Sequence, residues 1–350
     1  MAESYFSLSP KDQAEALLNA ADAIGRPVYL LEKDVWVVWT LGVLFAQPFG
    51  AHLVFKGGTS LSKAFGDILN RFSEDIDLTY DIRELIPDMV GAGDEPLPPN
   101  PSQQKKWTGA ARTALAQWVA EHVQPVMQAE LDALRLDTTL ELVIDDSGVS
   151  LRLKYSPVVQ ANEYVKPIVV MEFGGRSTGE PAIALNVVCD AARAVPDVSF
   201  PSATPRVMVA ERTFWEKATA AHVYCLSGRL SPRYARHWHD LICLDTAGFG
   251  DKAIADRALA NQVANHKQAF FATKDTSGNT ILYHDAIIGG LQLVPTDEAL
   301  AHLKQDYEDM VSNRLLDGTP MPFEELMALC AALADKCNAA GREEGAAAAL

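Results

Sequence analysis

Apolar residues recur along the chain in two rhythms. Gln13 to Ile24 and Leu31 to Leu44 repeat at helical spacing. Within them Val35 to Ala46 is the most apolar stretch; it is too short to span a bilayer, carries Trp36, Trp39 and Thr40, and reads as a buried helix. Leu53-Val54-Phe55 is a short apolar run that suits a buried strand, after which Gly57 and Gly58 permit a sharp turn. Leu61, Ala64, Phe65, Ile68 and Leu69 then predict a helix from near Ser60, with Ser62, Lys63, Asp67 and Asn70 facing away from its apolar stripe. Next, Ile76 and Leu78 alternate with Asp75, Asp77 and Thr79, the pattern of a strand with one buried face, so both carboxylates point to one side.

Further along, Gly91 to Ser102 is a proline-rich polar connector. A helix is predicted over 105–134, bent near Pro125. Thr138 to Ile144, Val149 to Tyr155, Pro167 to Phe173 and Ala182 to Val188 read as strands from their β-branched content. From Pro205 helices dominate, over Val207 to Leu226, Tyr234 to Leu244, and near Leu300 and Leu326, before a low-complexity end, GREEGAAAAL, read as frayed. No internal repeat is visible. The fold class is α/β in the broad sense (α+β), a mixed sheet followed by a mostly helical C-terminal region.

The segment FKGGTSLSKAFGDILNRFSEDIDL, Phe55 to Leu78, carries the chemistry. Glycines without Cβ let a ligand approach the main chain, and the unpaired N–H groups at the start of the next helix favour a phosphate. Two carboxylates about 7 Å apart on one strand face repel each other unless a cation lies beside them. Magnesium or manganese suits such hard oxygen ligands and is commonly held by one or two carboxylates together with substrate phosphates. The bland alternative for Asp75 and Asp77 is a solvated strand face; the glycine turn just upstream weighs against it.

With 350 residues and 48% hydrophobic content the chain can bury a large core. No secretory leader is apparent at Met1 to Lys11. Five cysteines, Cys189, Cys225, Cys243, Cys330 and Cys337, lack metal or disulfide spacing, so a reducing cytoplasm is the expected setting. A net charge of −16 argues against a surface coated for nucleic acid. Arg206, Arg212, Lys217, Arg229, Arg233, Arg236, His237 and His239 nonetheless concentrate positive groups, as a basic groove or as solvated helix faces. His237 and His239 stand two apart on a helix and diverge, which disfavours a shared metal, and no zinc-hydrolase spacing supports one.

FKGGTSLSK followed by RFSEDIDL resembles the abortive-infection AbiEii/AbiGii-type toxin nucleotidyltransferases, a branch of the polymerase-β-like superfamily. EKD at Glu32 to Asp34, MEFGGR at Met171 to Arg176, ERTFWEK at Glu211 to Lys217 and RHWHDL at Arg236 to Leu241 follow the same order, so the resemblance spans roughly residues 30 to 245. The gap from the glycines to Asp75 is longer than in the tightest superfamily pattern. The resemblance implies a nucleotidyltransferase core over 1–200 and a helical region over 201–345 that contributes to the site. It also implies an NTP substrate, Mg2+ or Mn2+ on Asp75 and Asp77 with Glu172 as third carboxylate, and nucleotide contacts from Lys56, Gly57, Gly58, Thr59, Ser60 and Arg71. Lys217 would contact the triphosphate and Asp240 assist or organise the site. Read from the residues alone, Lys217 could instead pair on its helix with Glu216 and Arg212, and Asp240 with Arg236 one turn earlier. Lys33 and Asp34 are candidate supporting residues or a solvated helix start. Trp36, Trp39 and Trp215 sit in apolar patterns and read as core. The implied biology is a toxin with a cognate antitoxin protein and an RNA acceptor such as a tRNA 3′ end, away from membranes. A protein or small-molecule acceptor, or an NTP-binding module without catalysis, are the competing functions.

Overall fold

A computed structural model describes residues 2–91, 93–136, 138–160, 165–229, 233–313, 315–316 and 318–348. The chain forms two compact units, Met1–Ala64, Glu74–Pro96 and Trp107–Met208 making the first, and Phe65–Ser73, Leu97–Lys106 and Val209–Leu350 the second.

The first unit is built on a mixed sheet. Its elements in chain order are β1 (Glu3–Ser4), α1 (Pro10–Ile24), α2 (Val28–Ala46), β2 (Leu53–Lys56), α3 (Gly57–Ala64), β3 (Ile76–Tyr80) and the single turns α4 (Ile82–Leu85) and α5 (Pro87–Val90). There follow α6 (Pro101–Trp118), α7 (Gln124–Ala133), β4 (Glu141–Ile144), β5 (Ser150–Lys154), β6 (Ile168–Gly174), β7 (Ala182–Ala184), β8 (Val187–Val188), β9 (Val198–Ser199), β10 (Ser202–Ala203) and β11 (Arg206–Met208). Seven strands pair in the order β4-β5-β6-β3-β2-β11-β7. β3 runs parallel to β6 and antiparallel to β2, and β2 runs parallel to β11. Two short ladders, β1 with β9 and β8 with β10, complete the unit.

Strand alternation sorts the sheet's faces. Ile76, Leu78, Leu151, Leu153, Val169, Met171 and Phe173 are buried on one face. Aromatic contacts help seal it: Trp118 of α6 stacks on Tyr80 with centroids 4.0 Å apart and meets Phe173 edge-on, while Trp36 of α2 stacks on Tyr155. The opposite parity, Asp77 on β3 and Glu172 on β6, carries the candidate chemistry.

The second unit is helical: α8 (Ala210–Ser227), α9 (Arg236–Thr246), α10 (Phe249–Ala255), α11 (Arg257–Phe270), α12 (Asp297–Ser312) and α13 (Phe323–Ala348). Its centre holds Phe214, Trp215, Tyr224 and Trp238. Both indoles are satisfied there, Trp215 donating to Ala253 O at 2.8 Å and Trp238 to Leu293 O at 2.6 Å. Trp36, Trp39 and Trp215 are all buried, as their apolar surroundings predict.

Several boundaries differ from the sequence reading. The helix expected from Ser60 to Leu69 starts at Gly57 and ends at Ala64, because Gly66, Asp67 and Asn70 take positive φ of 87°, 57° and 46° and turn the chain out of it. The span 182–188 is two strands in different sheets, β7 and β8. Residues 206–208, expected to begin a helix, are an inner strand instead. The bend near Pro125 is a π-helical turn at Val119–Val123, which absorbs the register change ahead of a residue with no N–H to donate. The connector 91–102 gives way to α6 at Pro101, and its residue 92 lies outside the described residues. The C-terminal end is helical through Ala348, and its last two residues lie outside those described. Among the described residues no helix is long and apolar enough to cross a membrane, and all five cysteines are free.

Candidate active site

The geometry of the first unit's site starts from one glycine. Gly57 follows β2 directly, opens α3, and has φ +82°. A Cβ built there would lie 2.1 Å from Asp77 Oδ2, so the carboxylate of Asp77 occupies the space a side chain would take. Asp77 thereby sits at the amino end of α3, where a negative group is electrostatically favoured. The ladder places it firmly: Lys56 is its register partner on β2 and Glu172 its partner on β6. Ser150 on β5 continues the row as the register partner of Glu172. Adjacent strands are about 4.8 Å apart, so this is a contiguous polar row across four strands of one sheet face.

Asp75 lies one residue ahead of β3 and is half-buried, like Asp77, whereas Glu172 is exposed. Thr59 and Ser60 are buried in the first turn of α3, and the Ser60 hydroxyl is spent internally, donating to Gly57 O at 3.0 Å. A phosphate here would therefore be met by main-chain N–H at the start of α3 rather than by the serine hydroxyl.

The hard oxygens of Asp77 and Glu172, in register on parallel neighbours, fit a divalent cation. Among the described residues no three His, Cys, Asp or Glu side chains are arranged to hold one by themselves. Asp75, Asp77 and Glu172 therefore do not close a cage by themselves, and a cation there would also need phosphate and water oxygens to complete its shell.

The second unit gathers the other motif residues. Arg71 grips Asp240 through two parallel bonds, Nε to Oδ1 at 2.6 Å and Nη2 to Oδ2 at 2.8 Å, and Lys217 Nζ lies 2.8 Å from the same Oδ2. Asp240 is fully buried. Burial opposes its charge, but Arg71 and Lys217 outweigh that and hold the carboxyl well below the usual carboxylate range. Lys217 is pushed down by burial against the pull of Asp240. Two cations on one carboxylate leave the trio with net charge +1. Neither bland pairing is seen: Arg212, not Lys217, meets Glu216, and Asp240 turns to Arg71 and Lys217 rather than to Arg236.

The two histidines of α9 differ: among the described residues His237 Nδ1 is buried with no hydrogen-bond partner, whereas His239 has one. His239 Nε2 is 2.7 Å from Leu69 O, and burial lowers the pKa of both His237 and His239, keeping the rings neutral. Three of the residues named for a basic groove are engaged elsewhere. Arg212 and Lys217 are buried, and Arg206, in the first unit, binds Glu180 and Ala51 O.

Sequence reasoning left Lys33 and Asp34 between support and solvent, and the structure places both inside, together with Glu32. A helix turns about 100° per residue, so three consecutive side chains leave α2 in three directions. Glu32 Oε1 accepts from Val158 N at 2.7 Å. Lys33 pairs with Glu74 and donates to Lys166 O at 3.1 Å. Asp34 meets Lys63 of α3 at 2.5 Å, and Lys63 also meets Asp190 at 2.6 Å, which Arg26 binds in turn. Burial alone would lower the Lys63 pKa, but the two carboxylates overcome it and keep the ammonium charged. Lys63 was expected to face away from the core; it is a buried crosslink from α3 to α2. The signal was available as charges interrupting an apolar run, but no local pattern names a partner for any of them.

Burial also pushes the Glu32 carboxyl up to about 7 from an ordinary 4.5, against backbone N–H groups that favour its charged form. Between those values the folded chain keeps a proton that the unfolded chain has lost. Its contribution to stability therefore falls as pH rises through that window and is level above it. Glu32→Gln should flatten this part of a profile of Tm against pH. A slope identical to wild type between pH 5 and 7 would assign it to another group.

The family model described as nucleotidyl transferase AbiEii toxin, type IV toxin–antitoxin system, matches residues 41–329. The chain therefore belongs to the AbiEii family of nucleotidyltransferase toxins. Among solved structures, MenT4, a nucleotidyltransferase toxin from Mycobacterium tuberculosis, is similar at 17% identity, with 93% of this chain and 99% of that chain covered and a TM-score of 0.38. JHP933 from Helicobacter pylori is similar at 16% identity, with 90% and 94% covered and a TM-score of 0.40. No curated protein sequence matches significantly.

Proposed function

We propose that this protein transfers a nucleoside monophosphate from an NTP to an acceptor hydroxyl and releases pyrophosphate, as a toxin restrained by a cognate antitoxin protein in the cytoplasm. The observation that carries the reading is the Asp77 carboxylate seated against the bare Cα of Gly57, which supports reading it as a metal-binding oxygen beside a helix start that takes phosphate. The acceptor oxygen forms a bond to the α-phosphorus while the bond to the bridging oxygen breaks. The acceptor proton passes to solvent, and pyrophosphate carries away the negative charge. Main-chain N–H groups of 57–60 orient the phosphates in line. Asp75, Asp77 and Glu172 would hold a bound Mg2+ or Mn2+, which supplies charge neutralisation on the phosphates. Lys217, Arg71 and Asp240 form an excess positive charge in the second unit, for which we propose a role in retaining the nucleotide's negative charge.

An RNA acceptor such as a tRNA 3′ end is our first choice. A protein or small-molecule acceptor is the second reading, favoured by the net charge of −16 and by the burial of Arg212 and Lys217. The deciding experiment follows label from each α-labelled NTP, with magnesium, into total RNA and total protein, comparing wild type with Asp77→Ala. Label in RNA with wild type alone supports the first choice and identifies the base. Label in protein moves the assignment to the second, and absence of NTP turnover with every acceptor pool removes the catalytic reading.

A further inference from the structure

The two aspartates of the first unit are fixed by different means. Asp77 stands inside β3, held by β2 on one side and β6 on the other. Asp75 stands outside it, because the ladder begins at Ile76 and residues 72–75 belong to no strand or helix. Something other than the sheet has to set its position. The residue before it, Glu74, is the partner of Lys33.

Lys33 is an unusual residue for its place. It lies on α2 among Leu31, Val35, Trp36, Val37 and Val38, and only 4% of its side chain is accessible. An ammonium there has to find its partners in the protein. It takes the Glu74 carboxylate at the entry to β3 and Lys166 O two residues before β6. Those are the parallel strands that carry Asp77 and Glu172. One buried ammonium thus ties the lead-ins of both strands to one helix.

We propose that Lys33 is a positioning residue: through Glu74 it sets Asp75 relative to Asp77 and so tunes the affinity for a divalent cation. This rests on the reading of the aspartates as cation ligands. The competing account is an ion pair that serves folding alone. A folding role would move Tm but not the cation affinity of the folded protein, whereas outer-shell partners of metal ligands typically change affinity by about 10–100-fold.

The test uses the full chain as wild type, Lys33→Met, Lys33→Arg, Glu74→Gln and Asp77→Asn. Mn2+ binding is measured by spin resonance of the free ion, and backbone amide exchange is followed over residues 73–75. Lys33→Met and Glu74→Gln are expected to weaken Mn2+ binding about tenfold, to speed exchange at 73–75, and to raise by a similar factor the Mg2+ needed for half-maximal label transfer. Lys33→Arg, which keeps the charge, should recover most of the loss. Folded variants with wild-type Mn2+ affinity and wild-type exchange overturn the proposal, whatever their Tm. Should Lys33→Met fail to fold, Glu74→Gln decides, since that side chain is already 24% accessible. Wild type that binds Mn2+ but transfers no label removes the catalytic reading and leaves affinity and exchange to judge Lys33. Wild type with no Mn2+ affinity beyond that of Asp77→Asn overturns both.

Discussion

Asp77→Asn is expected to reduce label transfer by about 10³-fold or more while leaving Tm unchanged or slightly raised. The two halves of that expectation have separate causes. Activity falls because the substitution removes charge from the carboxylate seated at the start of α3 beside Gly57. Stability changes little, because the favourable charge lost at the amino end of α3 is offset by relief of the repulsion from its register partner Glu172, each up to about 1 kcal/mol. Asparagine keeps the volume and relieves the repulsion. Gly57→Ala approaches the same site from the other side. The new methyl would collide with the Asp77 carboxylate and would also occupy a left-handed φ of 82°, so both Tm and transfer should drop. Retained transfer in Asp77→Asn, measured with saturating NTP and magnesium, would sink the assignment of this carboxylate.

What the sequence made legible was the part governed by short range. The apolar run at Leu53, the glycine turn and the alternation around Asp77 became β2, the start of α3 and β3, because each is dictated by local periodicity and backbone freedom. Misjudged elements were those settled by contacts far along the chain. Residues 206–208 have a short pattern compatible with a helix, yet they fill a gap between β2 and β7, and tertiary pairing overrides local preference. The stripe through Phe65, Ile68 and Leu69 looked helical, but Gly66 and Asp67 break it, and Phe65 packs edge-on against Phe249 instead. Among site residues, motif order named Asp75, Asp77, Lys217 and Asp240, but not which residues they would meet. One partner of Asp240 stands 169 residues away at Arg71, and those of Lys63 are Asp34 and Asp190. Charge pairing at such separations leaves no periodic trace in a single sequence.

Asp240→Ala is expected to give the largest loss of stability of any change considered, about 3–5 kcal/mol, because it removes the buried carboxylate that Arg71 and Lys217 share. In thermal unfolding that corresponds to a drop on the order of 10 °C for a unit of this size. The pH dependence follows from the direction of the shift. The folded carboxyl is held far below an unfolded aspartate near 3.9, so its contribution is complete at neutral pH and is lost progressively as pH falls below about 4. The variant should therefore show a flatter acid limb than wild type. Lost stability would not by itself separate a structural carboxylate from a functional one. Replacing the trio together, Arg71→Met, Asp240→Leu and Lys217→Met, removes its three charges at once, and such apolar replacement is often neutral or stabilising. If the trio only braces α8 and α9, the triple variant should recover both Tm and label transfer. If its excess positive charge serves the nucleotide, Tm should return while transfer stays low and the KM for NTP rises.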